Sequence, residues 1–170
     1  MTYRHQFHKW FYYSLALLLV WFMDSQVLNR LPVFGVVPML LPLVVVIVGV
    51  LEGAYAGTGF GMAVGLLWEL TYPDGFGGLV FGMALAGMVT GAISQYALSQ
   101  SLLSCILCSA GVLTILDGMR ILRALFIQLD TLDVLLGIAV PEVLWSLCWT
   151  PVVYLLFHRV FQKVGGTRLA

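Results

Sequence analysis

Four carboxylates lie inside or beside the long apolar stretches of this chain, and three arginines lie close to them in sequence. The carboxylates are Asp24, Glu69, Asp117 and Glu142, and the arginines are Arg30, Arg120 and Arg123. In apolar surroundings such groups pair with one another or with a partner, because an isolated charge there is costly. The sequence therefore predicts a polar cluster that forms a docking surface or a ligand pocket. The alternative is a set of interfacial side chains that only reach water or lipid headgroups.

Residues that could perform covalent catalysis are present but poorly placed for it. His5, His8 and His158 stand near the ends of the chain, away from the serines of the apolar stretches. Cys105 and Cys108 form a C-x-x-C pair in an apolar stretch, where thiols usually pack as small hydrophobes rather than bind metal or do redox chemistry. The sequence contains no H-E-x-x-H zinc motif and no phosphate-binding P-loop. We therefore expect no enzyme activity, no metal site and no cofactor.

Glycines recur every four residues in one stretch and again in the next. The first series is Gly53, Gly57, Gly61 and Gly65, and the second includes Gly87 and Gly91. On a helix this spacing puts the glycines on one stripe, where two backbones can approach closely. The pattern predicts tight helix packing, with the partner helix either inside this chain or in another protein.

The composition indicates the solvent in which these elements fold. Hydrophobic residues make up 61% of the chain and charged residues only 9%, and the mean hydropathy is +1.01. A soluble domain carries about a quarter charged residues to hydrate its surface. The chain is therefore predicted to be an all-α integral membrane protein, a single domain over 1–170 in contact with the lipid bilayer. Its net charge of zero gives no electrostatic footprint for nucleic acid.

A helix crosses the roughly 30 Å apolar layer of a membrane with about 20 residues, and by that measure about six segments emerge. They are predicted at 10–28, 36–51, 53–72, 77–99, 101–118 and 135–158. Glu52 and Gly53 leave almost no loop between the second and third segments, so the chain there either reverses tightly or continues as one bent element. Residues 119–134 place apolar and charged side chains on opposite faces at helical spacing. This fits an interfacial amphipathic helix or an extension of the fifth helix.

Basic residues predict the orientation. Arg4 and Lys9 precede the first segment, and Arg159, Lys163 and Arg168 follow the last. Cytoplasmic flanks of membrane helices are enriched in Lys and Arg, so both termini are expected on the cytoplasmic side.

One long stretch resembles a known family. Residues 52–94, EGAYAGTGFGMAVGLLWELTYPDGFGGLVFGMALAGMVTGAIS, are similar to the bacterial rod shape-determining protein MreD family, which has a glycine-rich span containing G-F and G-L-L-x-acid elements. The matching residues are Gly59, Phe60, Gly65, Leu66, Leu67 and Glu69. The family more often has Asp where Glu69 stands. The ending PEVLWSLCWTPVVYLLFHRVFQK is also similar, so the resemblance runs over most of the chain.

The resemblance implies a non-catalytic scaffold subunit of the cell-elongation complex, which makes peptidoglycan at the bacterial inner membrane. It implies binding to the bitopic protein MreC, beside a RodA-type glycosyltransferase and a class B penicillin-binding protein. It also implies a fold similar to the substrate-binding membrane subunits (S-components) of energy-coupling-factor transporters, six-helix proteins with an outward pocket. The alternative function is therefore uptake of a vitamin or metal. Those subunits commonly carry A-x-x-x-A in the first helix, and SLALLLVWF at 14–22 lacks it, which favours the scaffold.

Overall fold

The computed structural model describes residues 3–30, 36–71, 78–96, 101–127 and 132–164. Within these ranges 94% of the residues are helical, which confirms the all-α prediction. The α-helices are α1 (Tyr3–Phe22), α2 (Leu40–Glu52), α3 (Ala54–Thr71), α4 (Leu79–Tyr96), α5 (Leu102–Phe126) and α6 (Leu132–Val164). A π-helical turn, Met23–Val27, and a 3-10 turn, Leu28–Arg30, follow α1.

Three helices are long and apolar enough to cross a membrane, and they lie in α4, α5 and α6. The three segments are Leu79–Tyr96, Leu102–Phe126 and Val134–Lys163. This finding is consistent with a membrane protein. Residues 119–126 belong to α5, so this part of the amphipathic stretch extends the fifth helix instead of forming a helix of its own.

Helix α2 is the centre of the assembly. All of its 13 residues are buried, and it contacts each of the other five helices. It is apolar on every side up to Glu52, which is typical of a helix enclosed by other helices. At about 1.5 Å per residue it is about 20 Å long, too short to cross a layer of about 30 Å unaided. The predicted segment 36–51 begins too early, because residues 37–39 are not helical.

The start of α2 is held by side chains from other elements. The Ser146 hydroxyl of α6 accepts a hydrogen bond from the Met39 N–H at 2.9 Å, and the Asp24 carboxylate accepts one from the Leu40 N–H at 3.4 Å. The first N–H groups of a helix have no partner within it, and a buried helix cannot obtain one from water. Pro42 lies in this first turn, where a missing N–H costs little. These two hydrogen bonds therefore fix the position of α2 along its axis, relative to α6 and to the π-helical turn that follows α1.

The other end of α2 leads directly into α3. The Ser94 hydroxyl of α4 donates to the Val50 carbonyl at 3.0 Å, which satisfies one of the last carbonyls of α2. Gly53 stands alone between α2 and α3 with a φ of 92°, a conformation that favours glycine. The chain reverses there, because α3 runs antiparallel to both α2 and α4. Of the two alternatives for this junction, the tight reversal is the one observed.

Because the helices alternate in direction, the bundle has two ends, which we name after their carboxylates. The Glu52 end holds the start of α1 and the end of α2, and the Asp24 end holds the opposite termini. Near the Glu52 end the rings of Tyr13, Phe60 and Phe157 pack together at centroid distances of 6.0 to 6.4 Å. These rings join α1, α3 and α6, so the charged residues of this end rest on an aromatic layer.

Candidate functional site

Asp117, Arg120 and Glu142 meet at the Asp24 end, where α5 and α6 contact each other. Asp117 and Arg120 lie three residues apart on one face of α5, with a carboxylate oxygen and a guanidinium nitrogen 3.7 Å apart. Glu142 of α6 approaches the same nitrogen to 3.5 Å. Asp117 is 5% exposed, whereas the Arg120 side chain is 46% exposed. The arginine therefore links the two helices and still presents a guanidinium surface to the outside.

Helix α3 reaches the same group through Trp68. The guanidinium carbon of Arg120 lies 5.9 Å from the centre of the indole ring, within the range of a cation–π interaction. Trp68 itself is buried. Arg120 thus connects three helices. We call Trp68, Asp117, Arg120 and Glu142 the Arg120 cluster.

The Arg120 cluster holds two carboxylates and one cation. Its ion-pair distances of 3.5 and 3.7 Å exceed the roughly 2.8 Å of a strong charge-assisted hydrogen bond. The Oδ2 atom of Asp117 is buried and has no hydrogen-bond partner in the part of the chain that the structure describes. Burying a charged oxygen without a donor is costly. The arrangement can therefore accept a further donor, either a proton or a cationic group brought from outside.

Asp24, Glu69 and Arg123 were also predicted for this cluster, but the ion pairs of Arg120 are to Asp117 and Glu142. Asp24 is buried and caps α2 through the Leu40 N–H, which is a structural role. Glu69 follows Trp68 on α3, and its Oε1 atom is buried without a hydrogen-bond partner among the described residues. Arg123 is exposed nearly one turn beyond Arg120 on α5. Arg30 ends the 3-10 turn that follows α1. Of the seven predicted residues, the structure brings together Asp117, Arg120 and Glu142.

A second charged group, not predicted from the sequence, lies at the Glu52 end. Glu52 forms an ion pair with Lys9 and accepts a hydrogen bond from the Tyr13 hydroxyl at 2.8 Å. The Glu52 side chain is 2% exposed and that of Lys9 17%. The group ties α1 to the turn between α2 and α3. Lys9 and Tyr13 are four residues apart, which puts them on one face of α1. This spacing indicates a polar face on the helix, but it does not indicate which carboxylate the face contacts.

The glycine stripe of α3 lies against α4. A Cβ atom on Gly57 would overlap the carbonyl of Gly87, and one on Gly87 would overlap the carbonyl of Gly57. Gly61, Gly65 and Gly91 are likewise closed off by backbone atoms of the facing segment. The partner helix of the stripe is therefore within this chain. This close approach holds the end of α3 that carries the indole of the Arg120 cluster.

Other chemically capable groups are dispersed through the bundle. Cys105 and Cys108 are buried in α5, and Cys148 is exposed on α6. His158 stacks on Tyr154 with ring centroids 5.3 Å apart. Within the described ranges no three His, Cys, Asp or Glu side chains are placed to hold a metal ion.

No protein-family model, curated protein or solved structure matches this chain. Its class follows from its own fold, an all-α protein in which three helices could span a membrane and a short central helix is enclosed by five others. What it does has to be inferred from the residues described above.

Proposed function

We propose that the chain is a six-span protein of the bacterial inner membrane with both termini in the cytoplasm. In this arrangement the longer helices surround α2 and shield it from lipid. The basic side chains support the orientation. In the sequence five Lys and Arg residues flank the first and last apolar segments, Arg4, Lys9, Arg159, Lys163 and Arg168, against three at the opposite helix ends, Arg30, Arg120 and Arg123. By the positive-inside rule the Glu52 end then faces the cytoplasm.

We further propose that it is a non-catalytic scaffold subunit of the cell-elongation complex, as its resemblance to the MreD family implies. The observation that carries this proposal is the burial of every residue of α2. Side chains occupy the centre of the described fold, where a transport subunit would need room for its substrate. A filled body with polar groups at one end suits a protein that holds other proteins in place.

The Arg120 cluster is the contact that we assign to the partner, an MreC-like protein that crosses the membrane once. At the outer end of the bundle the cluster has two carboxylates but one cation. In addition, Asp117 Oδ2 lacks a hydrogen-bond donor among the described residues. A Lys or Arg beside the partner's single helix would supply both the second cation and the missing hydrogen-bond donor. A RodA-type glycosyltransferase and a class B penicillin-binding protein would then assemble beside this pair.

The alternative function is the substrate-binding subunit of an energy-coupling-factor transporter. The half-exposed guanidinium of Arg120, with carboxylates on either side, is an observation in its favour, because small polar ligands are held by such convergent groups. The ligand would then be a vitamin or a metal ion.

Affinity purification of the full chain from its native membrane distinguishes the two functions. The scaffold predicts recovery of an MreC-like bitopic protein. Asp117→Asn and Glu142→Gln should each lower that recovery about tenfold, since a charge-assisted hydrogen bond contributes about 1.5–3 kcal/mol. Glu52→Gln removes a carboxylate at the opposite end of the bundle, and it should leave recovery per purified chain within about twofold.

Two outcomes would overturn these proposals separately. Recovery of ATPase subunits or a bound vitamin in place of a bitopic protein would overturn the scaffold function. Unchanged recovery of the bitopic protein by both Asp117→Asn and Glu142→Gln would leave the scaffold intact but remove the Arg120 cluster as its contact.

A further inference from the structure

A shallow groove lies on the last turns of α6, at the Glu52 end. It has a volume of about 420 Å³ and is lined by Leu156, Arg159, Val160, Gln162 and Lys163. Leu156, Arg159, Val160 and Lys163 follow one another at intervals of three, one and three residues, so they form a single stripe along the helix. Within the stripe Leu156 and Val160 form an apolar row, and Arg159 and Lys163 form a cationic row beside it that lies nearly one turn closer to the helix end.

The two cations of this groove have no compensating charge among the described residues. Arg159 and Lys163 are exposed, and neither forms an ion pair with any residue that the structure describes. Among the acidic side chains that the structure describes, Glu52 belongs to this end of the bundle, and it is buried against Lys9. Positive charge is therefore concentrated beside an apolar surface.

We propose that this groove binds an anionic phospholipid. The phosphodiester lies between Arg159 and Lys163, which are one helical turn apart, and an acyl chain covers Leu156 and Val160. The polarity of the stripe matches a lipid at a membrane surface, because the headgroup and the chain meet the parts of the groove that suit them. Basic grooves beside membrane helices recognise anionic headgroups in this way. The proposal requires only that α6 crosses a membrane, and it does not depend on the scaffold function.

The test measures lipid bound to the full chain reconstituted in nanodiscs of phosphatidylcholine containing a minor fraction of phosphatidylglycerol. After extraction into mild detergent, native mass spectrometry counts the lipids that remain bound. The wild type should retain phosphatidylglycerol in preference to phosphatidylcholine. Arg159→Gln combined with Lys163→Gln should lower the retained phosphatidylglycerol about tenfold. Arg30→Gln, which removes an exposed arginine at the opposite end, should not change it.

A measurement on the wild type alone keeps the test decisive if the double variant fails to fold. Raising the salt concentration should reduce retention of phosphatidylglycerol but not of phosphatidylcholine, because charge attraction is screened. The proposal is overturned if the wild type shows no preference for the anionic lipid, or if the preference is insensitive to salt. It is also overturned if Arg30→Gln reduces retention as much as the double variant. Recovery of the bitopic partner should be unaffected by the double variant, so failure of the lipid site and failure of the scaffold function are distinguishable.

Discussion

Two pairs of neighbouring helices in this bundle use glycine in opposite ways. Helices α3 and α4 make the most extensive contact in the structure, and Gly57, Gly61, Gly65 and Gly87 lie against the backbone of the facing helix. Helices α5 and α6 also carry glycines, Gly111, Gly118 and Gly137, but a Cβ atom added to any of these would meet nothing within 4 Å. The first pair is closed by backbone contact, whereas the second leaves surface available to other molecules.

Helix α2 explains part of the difference. It packs closely against α3 and α4, and Gly49 allows the approach, since a Cβ there would lie 2.8 Å from the Gly87 carbonyl oxygen. Helix α6 departs from this compact group, with only 17% of its membrane-length window buried. The corresponding windows of α4 and α5 are 33% and 39% buried, so the surface available to lipid or a partner is largest on α6.

The largest effect is expected where a side chain is forced between α3 and α4. Gly57→Leu should lower the free energy of unfolding by more than about 3 kcal/mol, because overpacking against movable side chains already costs about 1–3 kcal/mol and here the obstacle is backbone. Gly137→Leu in α6, with the same change of side chain, should stay within about 0.5 kcal/mol of the wild type. Equilibrium unfolding in mixed micelles of mild detergent and sodium dodecyl sulfate, followed by circular dichroism, measures both.

A smaller substitution within α4 provides the matched control. Gly87→Ala should destabilise the protein, whereas Gly82→Ala, at a position with nothing within 4 Å, should be neutral or slightly stabilising. Equal losses at the two positions would mean that the contact between α3 and α4 does not determine the effect.

Local features account for the parts of the fold that could be predicted. The third segment, predicted at 53–72, is observed at Ala54–Thr71, because Gly53 precedes it and Pro73 follows it in the sequence. The four-residue glycine spacing likewise predicted a packing stripe. The sixth segment, 135–158, falls short of Leu132–Val164, since a helix can continue into polar residues where hydropathy gives no signal.

The second-largest effect concerns charge at the two ends of the bundle. Glu52→Gln should cost about 2 kcal/mol, less than the roughly 3–5 kcal/mol of a fully buried pair, because Lys9 keeps some contact with solvent. Glu142→Gln at the Asp24 end should cost less than about 1 kcal/mol, since it loses a 3.5 Å contact to a half-exposed arginine. The same unfolding measurement compares the two variants. Equal costs for Glu142→Gln and Glu52→Gln would contradict the expectation that the ion pair at the Glu52 end stabilises the fold more than the one at the Asp24 end.

Contacts between distant residues explain why the ion pair of Lys9 and Glu52 and the capping role of Asp24 escaped prediction. Lys9 and Glu52 are 43 residues apart, and the local sequence around either residue does not indicate that the other is its partner. Asp24 was expected beside the arginines but caps α2, because a short buried helix needs donors and acceptors at both ends, which hydropathy does not reveal. Asp117, Arg120 and Glu142 were predictable as a group, since they stand near facing ends of consecutive helices.

The smallest effect is expected at the contact that joins α6 to the compact half of the bundle. Ser146→Ala removes the acceptor for the Met39 N–H, bound at 2.9 Å, and should lower the free energy of unfolding by about 1 kcal/mol, since a buried donor loses its partner. Thr114→Val is the control, because the Thr114 hydroxyl is exposed and bonds only to the Ala110 carbonyl of its own helix. Its removal should cost less than about 0.5 kcal/mol. Equal costs would mean that the Ser146 contact does not hold α6 against α2, and that α6 is retained by its apolar packing and its surroundings alone.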